Sequence, residues 1–422
     1  MRVYLESYGC SANLNNSEIM AGILAAAGHE IVNSEAEAEL VVLNSCIVKE
    51  PTLNKMISRM REIKPRLVVT GCLPDARPEL VRRFQPDALM VGVHHVGEIG
   101  HAIADWRHRL GKTPEIKLGL PRRSVSRVIE IVQIGEGCLG SCSYCATKIA
   151  KGALFSYPER AIVDQIKEVL ARNVRLIWLT SQDCAAWGQE QQKGLPKLLR
   201  EILKLPGHFK LRIGMLNPTF LTKIVDELAE LLAADKRLFS FAHIPVQSGS
   251  DSVLEAMSRG YTVADFVRSV KVLRSALPEL QLMTDIICGF PSESDADFAQ
   301  SLELIERVQP DVVHVNRFWP MPGTRAAALK QLPRAVVDAR SKKMSALAEA
   351  LALERNRAWL NWCGPAFVDR IGRGRAIARN QSYKPIVLDC AHAPSALLGQ
   401  ELEIEITAAR PRYLLGRPLE MG

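Results

Sequence analysis

The feature that most constrains this chain is a run of three closely spaced cysteines that directly follows a strand-like segment. Cys138, Cys142 and Cys145 form a Cys-x3-Cys-x2-Cys pattern, and the apolar residues 128–134 precede it. Three thiolates on one short loop can hold three irons of a [4Fe-4S] cluster, which leaves the fourth iron free to bind a small molecule. The alternative is a zinc site completed by a distant ligand, but structural zinc usually takes Cys-x2-Cys pairs at two separate places. The spacing therefore favours a [4Fe-4S] cluster with one open iron.

Three further cysteines stand at equivalent positions in the N-terminal region. Cys10, Cys46 and Cys72 each follow a strand-like segment and precede a helix-like stretch. The three segments cover residues 3–8, 40–43 and 67–70. Alternating strands and helices predict a parallel sheet whose strands end at one edge, so these thiolates converge and again match a cluster with one open iron. The alternative is that they are buried and inert, since free cysteine is among the most buried residue types.

Composition excludes several classes of protein. With 422 residues, of which 47% are hydrophobic, the chain is too long for one ordinary core and can supply two or three. No run reaches about 18 apolar residues, and the N-terminal sequence lacks the features of a signal peptide. Ten cysteines without a secretory signal indicate a reducing compartment. We therefore expect a cytoplasmic protein of several domains with no membrane span.

Positive charge is concentrated around the loop that carries Cys138. Residues 107–175 contain thirteen Lys or Arg and six Asp or Glu, so they hold a surplus of seven within a net charge of +8. A basic surface beside a reactive centre favours a polyanionic partner such as nucleic acid. The alternative is a solvated charged linker without a partner.

The pattern in the middle of the chain predicts repeated strand-helix units. The strand-like segments cover residues 128–134, 176–179, 211–214, 239–244, 282–287 and 312–315, with amphipathic stretches such as 266–277 between them. Six units predict a partial (β/α)6 barrel that is open on one side. Active side chains in such barrels lie just past the strand ends, which draws attention to residues 181–183 and 243–248. For any one of these residues the alternative is ordinary loop capping.

The C-terminal part has a different pattern. A helical run from residue 333 to 360 leads into short alternating segments from residue 367 onward, which predict a small antiparallel barrel. Glu401, Glu403 and Glu405 alternate along one segment and indicate a solvated face. The candidates for phosphate contacts are the basic residues Arg373, Arg375, Arg379, Lys384, Arg410 and Arg412.

These motifs together resemble the radical S-adenosylmethionine (SAM) methylthiotransferases over nearly the whole chain. Residues 8–13, 44–49 and 71–74 resemble that family's N-terminal domain, and the cysteine loop with its aromatic Tyr144 resembles radical SAM enzymes in general. The resemblance continues through residues 245–250, 289–293 and 322–324, and the C-terminal part resembles a TRAM domain. It implies that the open iron chelates SAM, that reductive cleavage gives a 5'-deoxyadenosyl radical, and that a second, auxiliary cluster takes part in inserting a methylthio group. The implied cofactors are two [4Fe-4S] clusters and SAM.

Residues 137–148 are most similar to the threonylcarbamoyladenosine tRNA methylthiotransferases, whose loop reads Gly-Cys-Leu-x-x-Cys-x-Tyr-Cys-x-Thr-Lys. The chain departs from that branch at Ile149 and Lys151, where His and Arg are more usual. The resemblance implies methylthiolation of C2 of N6-threonylcarbamoyladenosine at position 37 of tRNA. It also implies an anticodon-loop partner and an electron donor such as flavodoxin or ferredoxin, and it leaves the sulfur donor open.

The resemblance also assigns residues and domains. Cys138, Cys142 and Cys145 are implied as the catalytic cluster ligands, and the auxiliary ligands are Cys10, Cys46 and Cys72. Around SAM it places Tyr144, Gln182, Asp183 and Gln247. The predicted α/β architecture has a methylthiotransferase domain at 1–107, a basic linker at 108–123, a radical SAM barrel at 124–356 and a TRAM barrel at 357–422.

Other functions stay open from the sequence. The same chemistry could act on isopentenyladenosine in tRNA or on a ribosomal-protein aspartate, and the loop after Cys145 together with the basic surplus favours RNA. A non-catalytic iron-sulfur RNA-binding protein would have no reason to combine an open-iron loop with a SAM-type barrel. The remaining cysteines are expected to be packing residues: Cys184, Cys288, Cys363 and Cys390.

Overall fold

The computed structural model describes residues 1–48, 50–372, 374–388 and 394–419, which form three parts in chain order. A parallel sheet with helices comes first, an open barrel of strands and helices follows, and a small closed barrel comes last. This α/β architecture confirms the predicted fold class. Among the described residues, no helix is both long and apolar enough to cross a membrane.

The N-terminal part is a five-stranded parallel sheet in the spatial order β2-β1-β3-β4-β5. Its strands are β1 (Arg2–Ser7), β2 (Glu30–Val32), β3 (Leu40–Ser45), β4 (Arg66–Gly71) and β5 (Leu89–Gly92). Its helices are α1 (Ser11–Ala26), α2 (Glu50–Glu62), α3 (Cys72–Ala76), α4 (Pro78–Phe84) and α5 (Ile99–Asp105). The predicted strands all form, and the three N-terminal cysteines follow β1, β3 and β4 at one edge of the sheet.

Helix α1 begins directly after Cys10 and packs its apolar face on the sheet. Ile19, Met20 and Leu24 are buried in one cluster with side chains of β1, β3 and β4. Gly28 follows the helix with φ +83°, in the left-handed region that glycine adopts without the usual Cβ clash. The helix therefore ends at the glycine that the sequence pattern predicts as a cap.

The central part is the partial barrel that the sequence predicts. Its strands are β6 (Ile129–Gln133), β7 (Gly135–Glu136), β8 (Phe155–Ser156), β9 (Leu176–Thr180), β10 (Lys210–Ile213), β11 (Phe241–His243), β12 (Gln281–Cys288) and β13 (Val312–Arg317). Its helices are α6 (Thr147–Lys151), α7 (Glu159–Ala171), α8 (Leu195–Leu203), α9 (Pro218–Leu221), α10 (Val225–Ala234), α11 (Asp251–Ala256), α12 (Val263–Ala276), α13 (Asp295–Val308) and α14 (Arg334–Arg357). Short 3₁₀ turns cover Glu35–Glu37, Val96–Glu98, Gln189–Gln191, Arg325–Ala328 and Pro394–Leu397.

Six of these strands form the barrel wall. Two parallel sheets, β6-β9-β10 and β11-β12-β13, are joined by isolated bridges from Leu211 to Leu238 and from Met215 to His243. Strands β7 and β8 make a small separate hairpin. Within the described residues nothing pairs β13 with β6, so the barrel is open on that side, as predicted.

An apolar cluster, which we call the barrel floor, closes the end of the barrel where the strands begin. Its buried members are Ile129, Leu176, Phe239, Phe241, Phe367 and Tyr383. The ring of Tyr383, which belongs to the C-terminal part, lies 4.9 Å from the ring of Phe239 and 5.2 Å from that of Phe241. The C-terminal part therefore completes the core of the central barrel.

The C-terminal part is a closed barrel in the order β14-β15-β16-β18-β17. Its strands are β14 (Cys363–Gly372), β15 (Arg375–Arg379), β16 (Pro385–Leu388), β17 (Glu401–Ala409) and β18 (Leu414–Pro418). The expected small barrel is present, but it is not wholly antiparallel. Strands β16 and β18 pair in parallel. Strand β17 comes between them in sequence and pairs antiparallel with β14 and β18 on the other side of the barrel.

The region predicted as a basic linker is packed against its neighbours. The backbone of Arg109 exchanges hydrogen bonds with strand β5, at 2.9 Å to the carbonyl of Met90 and 2.7 Å from the amide of Gly92. Lys117 is buried, and Arg122 is largely buried in ion pairs with glutamates. These cations neutralise internal carboxylates, so this part of the basic surplus is not available to a partner. The domain boundaries themselves stay a prediction.

The cysteines expected to be packing residues differ in exposure. Cys184 and Cys288 are completely buried in the barrel core. Cys363 is exposed, so that prediction is wrong for it. As the first residue of β14 it falls on the outward side of an alternating strand. Cys390 lies outside the described residues.

Candidate active site

The loop between β7 and α6 brings the sulfurs of Cys138 and Cys142 close together. Gly140 lies between them, and a Cβ at this position would be 3.3 Å from the Cys138 sulfur and 3.7 Å from the Cys142 sulfur. The amide of Gly140 donates a hydrogen bond to the Cys138 sulfur at 3.2 Å. Burial raises the pKa of the Cys138 thiol to about 11, and the charges of Asp183, Cys142 and Cys145 act in the same direction. The loop thus presents three neighbouring sulfurs of the donor type that a [4Fe-4S] cluster takes.

Arg259, which the sequence reasoning missed, holds this loop against the barrel. Its Nη1 donates to the sulfur of Cys142 at 3.2 Å and to the Tyr144 hydroxyl at 3.5 Å. Its Nη2 donates to Asn217 Oδ1 at 3.1 Å and to the Pro245 carbonyl at 3.2 Å. Arg259 is partly buried, and its guanidinium positions the Cys142 sulfur and offsets negative charge at it.

Gln182 and Asp183 follow β9 and form hydrogen bonds with the neighbouring loops at the carboxyl ends of the barrel strands. Gln182 Oε1 accepts a hydrogen bond from the amide of Gly137 at 2.7 Å. Asp183 is completely buried, and its Oδ1 accepts from the amides of Ala185 at 3.0 Å and Asn217 at 3.1 Å. Burial raises the pKa of Asp183 to about 7, and the backbone hydrogen bonds lower it in part. Asp183 therefore fixes the shape of this loop, and the Gln182 carbonyl fixes the base of the cysteine loop.

Gln247 has the most distinctive backbone among the residues expected near SAM. Its φ is +72°, and its backbone is held by hydrogen bonds to the Asp285 carbonyl at 2.8 Å and from the Ile287 amide at 2.9 Å. A non-glycine residue in this region carries about 1–3 kcal/mol of strain. Its Oε1 is buried without a hydrogen-bond partner among the described residues. Tyr144, in turn, packs edge-on against Phe290 with 6.5 Å between ring centroids.

The N-terminal cysteines form the second set. Cys46 and Cys72 are buried, whereas Cys10 is exposed. Gly9 has φ +109°, and a Cβ there would lie 2.8 Å from the Cβ of Cys46, so only glycine lets the chain pass this close. Burial raises the pKa of the Cys72 thiol to about 12, while the positive charge of Lys151 opposes that rise. The charges of Cys46 and Cys10 also raise the pKa of Cys72, so the three sulfurs are close enough to interact electrostatically.

A buried ion cluster connects the two cysteine sets. Glu136, at the end of β7, accepts from Lys151 Nζ through Oε1 and from Lys117 Nζ through Oε2, each at 2.6 Å. Burial alone would raise the pKa of Glu136, but the two ammonium groups lower it to about 2. Burial lowers the pKa of Lys151, whereas the charges of Glu136, Cys72 and Cys10 raise it above its ordinary value overall. Lys151 thus lies between the N-terminal cysteines and the strand that leads into the barrel loop.

The N-terminal domain also contacts the mouth of the barrel directly. The hydroxyls of Ser11 and Thr180 are 2.7 Å apart, which links the start of α1 to the end of β9. Asn15 Nδ2 donates to Gln133 Oε1 at 3.4 Å, at the end of β6. The N-terminal cysteines are therefore carried on the domain that covers the carboxyl ends of the barrel strands.

Inside the barrel, His243, Asp285 and His314 meet on three neighbouring strands. His243 Nε2 is 2.5 Å from Asp285 Oδ2, and His314 Nδ1 is 3.5 Å from Asp285 Oδ1. Burial raises the pKa of Asp285, but hydrogen bonds from both imidazoles lower it below its usual range. One donor atom of each residue lies within 4.8 Å of the others, a spacing that a divalent metal could use, and the histidine–aspartate hydrogen bond alone also accounts for it. The sequence drew attention to His243 but gave no signal for its two partners.

The RNA candidates of the C-terminal barrel fall into three groups. Arg375, Arg410 and Arg412 are exposed. Arg379 pairs with Asp369 at 2.9 Å and is largely buried. Lys384 is buried, with its Nζ 2.7 Å from Asp311 Oδ1, so its prediction as a phosphate contact is wrong. The last candidate, Arg373, lies outside the described residues.

Comparisons with known proteins agree with this geometry. Three family models match the chain: the uncharacterized protein family UPF0004 over residues 2–92, the radical SAM superfamily over 132–305 and the TRAM domain over 368–419. A probable threonylcarbamoyladenosine tRNA methylthiotransferase of Pyrococcus horikoshii is 38% identical over 99% of both chains. The Danio rerio enzyme of that name is 34% identical over 99% of this chain and 78% of its own.

This chain belongs to the threonylcarbamoyladenosine tRNA methylthiotransferase family. Radical SAM enzymes of this kind use SAM and carry two [4Fe-4S] clusters, which agrees with the two sets of three cysteines. Among solved structures, a radical SAM methyltransferase from Kitasatospora setae aligns with a TM-score of 0.56, covering 77% of this chain and 76% of its own. Its sequence identity is 16%, so this likeness concerns the fold alone.

Proposed function

We propose that this protein methylthiolates C2 of N6-threonylcarbamoyladenosine at position 37 of tRNA. The observation that carries the proposal is the 38% identity to the Pyrococcus horikoshii relative of that name across 99% of both chains. A match over the whole length covers both cysteine sets and the TRAM domain, so it concerns the complete machinery rather than one domain. Cytoplasmic location, tRNA as the partner and a flavodoxin or ferredoxin as electron donor belong to the same proposal.

The barrel loop serves the radical step. Cys138, Cys142 and Cys145 would hold the catalytic cluster, which with SAM supplies the carbon radical that removes the C2 hydrogen. Arg259 keeps Cys142 and Tyr144 in place. Gln182 fixes the start of the loop. Gln247 offers its unpartnered Oε1 to a donor such as the SAM ammonium.

The N-terminal set serves the sulfur step. Cys10, Cys46 and Cys72 would hold the auxiliary cluster, which supplies the site of the sulfur to be transferred. Lys151 carries a positive charge beside these sulfurs and keeps that charge because Glu136 is bonded to it. The contacts of Ser11 and Asn15 with the barrel hold the two sets in a fixed relation, which supports transfer to a base bound between them.

The C-terminal barrel serves tRNA binding. Of the predicted phosphate contacts, Arg375, Arg410 and Arg412 are exposed and available, and Arg412 forms a surface ion pair with Glu349 at 3.1 Å. A base of the anticodon loop is single-stranded and can leave its stack to enter a pocket.

The direct test uses the reconstituted enzyme with synthetic anticodon stem-loops. One carries N6-threonylcarbamoyladenosine, a second isopentenyladenosine and a third unmodified adenosine, and nucleosides are analysed by mass spectrometry after reaction with SAM and reductant. We expect a methylthio group on the first RNA only. Methylthiolation of the second RNA in preference to the first would contradict the proposed substrate.

A further inference from the structure

Arg212 is a cation inside the barrel that the mechanism described so far does not use. It lies on β10 with its guanidinium surrounded by three aromatic rings. The guanidinium carbon is 5.3 Å from the ring centroid of Trp178, 5.1 Å from that of Phe241 and 5.4 Å from that of Tyr383. These rings come from β9, β11 and the C-terminal barrel, so three parts of the fold hold this cation in place.

Apart from these aromatic contacts, the guanidinium of Arg212 has no hydrogen-bond or ion-pair partner among the described residues. Its Nε is buried without a hydrogen-bond partner, and no other atom of the group bonds or pairs with any residue that the structure describes. The neighbouring Lys210 on the same strand is satisfied, with Nζ 2.7 Å from Gln381 Oε1. Arg340, another largely buried arginine, pairs with both Glu293 and Asp295 at 2.6 Å. A half-buried guanidinium stays charged, so leaving it unpaired costs free energy that an incoming anion would recover.

The depth of Arg212 in the barrel limits which anionic groups can bind to it. The residues around the cysteine loop, such as Asn217 and Pro245, come from segments after the strands, whereas Arg212 lies on a strand just above the barrel floor. An anion bound to Arg212 is therefore deeper in the lumen than the cysteine loop. The Asp285 carboxylate on the opposite sheet is bonded to two imidazoles and so is not free to pair with Arg212.

We propose that Arg212 is a specificity-determining residue that binds the carboxylate of the threonylcarbamoyl group on the substrate base. This inference rests on the proposed function. C2 and C6 lie on either side of N1 in adenine, so when C2 is turned to the cysteine loop the N6 substituent runs obliquely from it towards the barrel wall, and its threonine ends in a carboxylate. A guanidinium binds a carboxylate through two parallel hydrogen bonds, and the aromatic rings keep it oriented. An unmodified or isopentenylated adenine brings no anion and leaves Arg212 unpaired, so both are disfavoured.

The test varies the protein and the ligand together. The proteins are the wild type, Arg212→Met, Arg212→Lys and the control Arg307→Met, whose side chain is exposed on α13 outside the basic region 107–175. The RNAs are the stem-loop with N6-threonylcarbamoyladenosine and the same stem-loop with the threonine carboxylate converted to a primary amide. We expect the wild type and the control to prefer the carboxylate RNA in kcat/KM by about 10- to 100-fold. Arg212→Met loses that preference, and Arg212→Lys retains part of it.

Further readouts separate the alternatives. Iron content, melting temperature and the KM for SAM in uncoupled cleavage stay at wild-type values in Arg212→Met. A raised KM for SAM would overturn the inference, because Arg212 would then bind the SAM carboxylate. An equal loss on both RNAs, with a shallower salt dependence, would overturn it in favour of an RNA phosphate. If the wild type modifies neither RNA, the proposed function fails, whereas an undiminished preference in Arg212→Met defeats this inference alone.

Discussion

The two cysteine sets offer the same kind of ligand, but the fold brings their sulfurs together in different ways. The barrel set lies on one loop, so its geometry is local and its sulfurs are partly exposed. The N-terminal set is assembled from the ends of three strands, and Cys46 and Cys72 are only 7% and 4% exposed. A local set depends on loop contacts such as Arg259, whereas an assembled set depends on the integrity of a whole domain. The comparison predicts that the two sets respond differently to the same kind of substitution.

The cations beside the two sets also differ. Arg259 contacts the Cys142 sulfur directly at 3.2 Å. Lys151 acts on the N-terminal sulfurs through its charge while its hydrogen bond goes to Glu136. Arg259 therefore fixes the position of one sulfur, whereas Lys151 and Glu136 set the charge of a region where the two domains meet.

The largest expected effect is on the barrel set. Cys142→Ala should leave roughly half of about eight irons in the reconstituted chain and abolish SAM cleavage, because two thiolates do not hold the open-iron geometry. Iron analysis and 5'-deoxyadenosine formation measure this. The matched control is Cys363→Ala, an exposed cysteine outside both sets, which should keep both values. Unchanged 5'-deoxyadenosine in Cys142→Ala would refute the assignment of the loop.

A smaller effect is expected at the ion cluster between the sets. Glu136→Gln removes the carboxylate that pairs with two buried ammonium groups and should lower the free energy of unfolding by about 3–5 kcal/mol. Because the pKa of Glu136 is about 2 in the folded protein, below its ordinary value of 4.5, this stabilisation is present above pH 4.5 and is lost as the pH falls towards 2. Denaturant unfolding of the wild type and the variant at neutral and acidic pH measures the difference.

The control for this variant is Glu168→Gln, an exposed position on α7. It should change the free energy of unfolding by less than about 0.5 kcal/mol. An equally small effect of Glu136→Gln would mean that the Glu136 carboxylate does not stabilise the folded protein through its pairs with Lys117 and Lys151.

The smallest effect is expected far from both sets. Reversing the charge at Arg375, Arg410 and Arg412 should weaken tRNA binding, and the slope of log affinity against log salt should become shallower by about one unit for each phosphate that the variant no longer binds. Fluorescence titration at several salt concentrations measures both. Reversal at Arg307, which is exposed on α13 outside the basic region 107–175, serves as the control. Equal affinity and slope in the triple reversal would place the tRNA-binding surface elsewhere.

The structure also changes how the C-terminal barrel can be tested. Removing it would take Phe367 and Tyr383 out of the barrel floor and leave Asp311 without Lys384. A truncation near residue 362 would therefore disturb the central barrel as well as RNA binding. Surface substitutions answer the question without that loss.

The parts of this protein that sequence could predict are those that depend on local pattern. The cysteine loop follows from spacing, and the N-terminal set follows from the places where strands end. Arg259 and Arg212 could not be found this way, because their roles come from contacts with residues far away in the chain. The prediction for Lys384 is wrong for the same reason, since its partner Asp311 lies on the other side of the domain boundary.

The central claim is that the two cysteine sets hold separate clusters with separate tasks, and one measurement tests it most directly. Cys10, Cys46 and Cys72 are replaced together by Ala, and 5'-deoxyadenosine and methylthiolated nucleoside are quantified in the same reaction. We expect about four irons to remain, 5'-deoxyadenosine to form and no methylthiolated nucleoside to appear, because the SAM-cleaving set lies on another domain. Methylthiolated nucleoside in this reaction, or loss of 5'-deoxyadenosine together with all iron, would contradict the account.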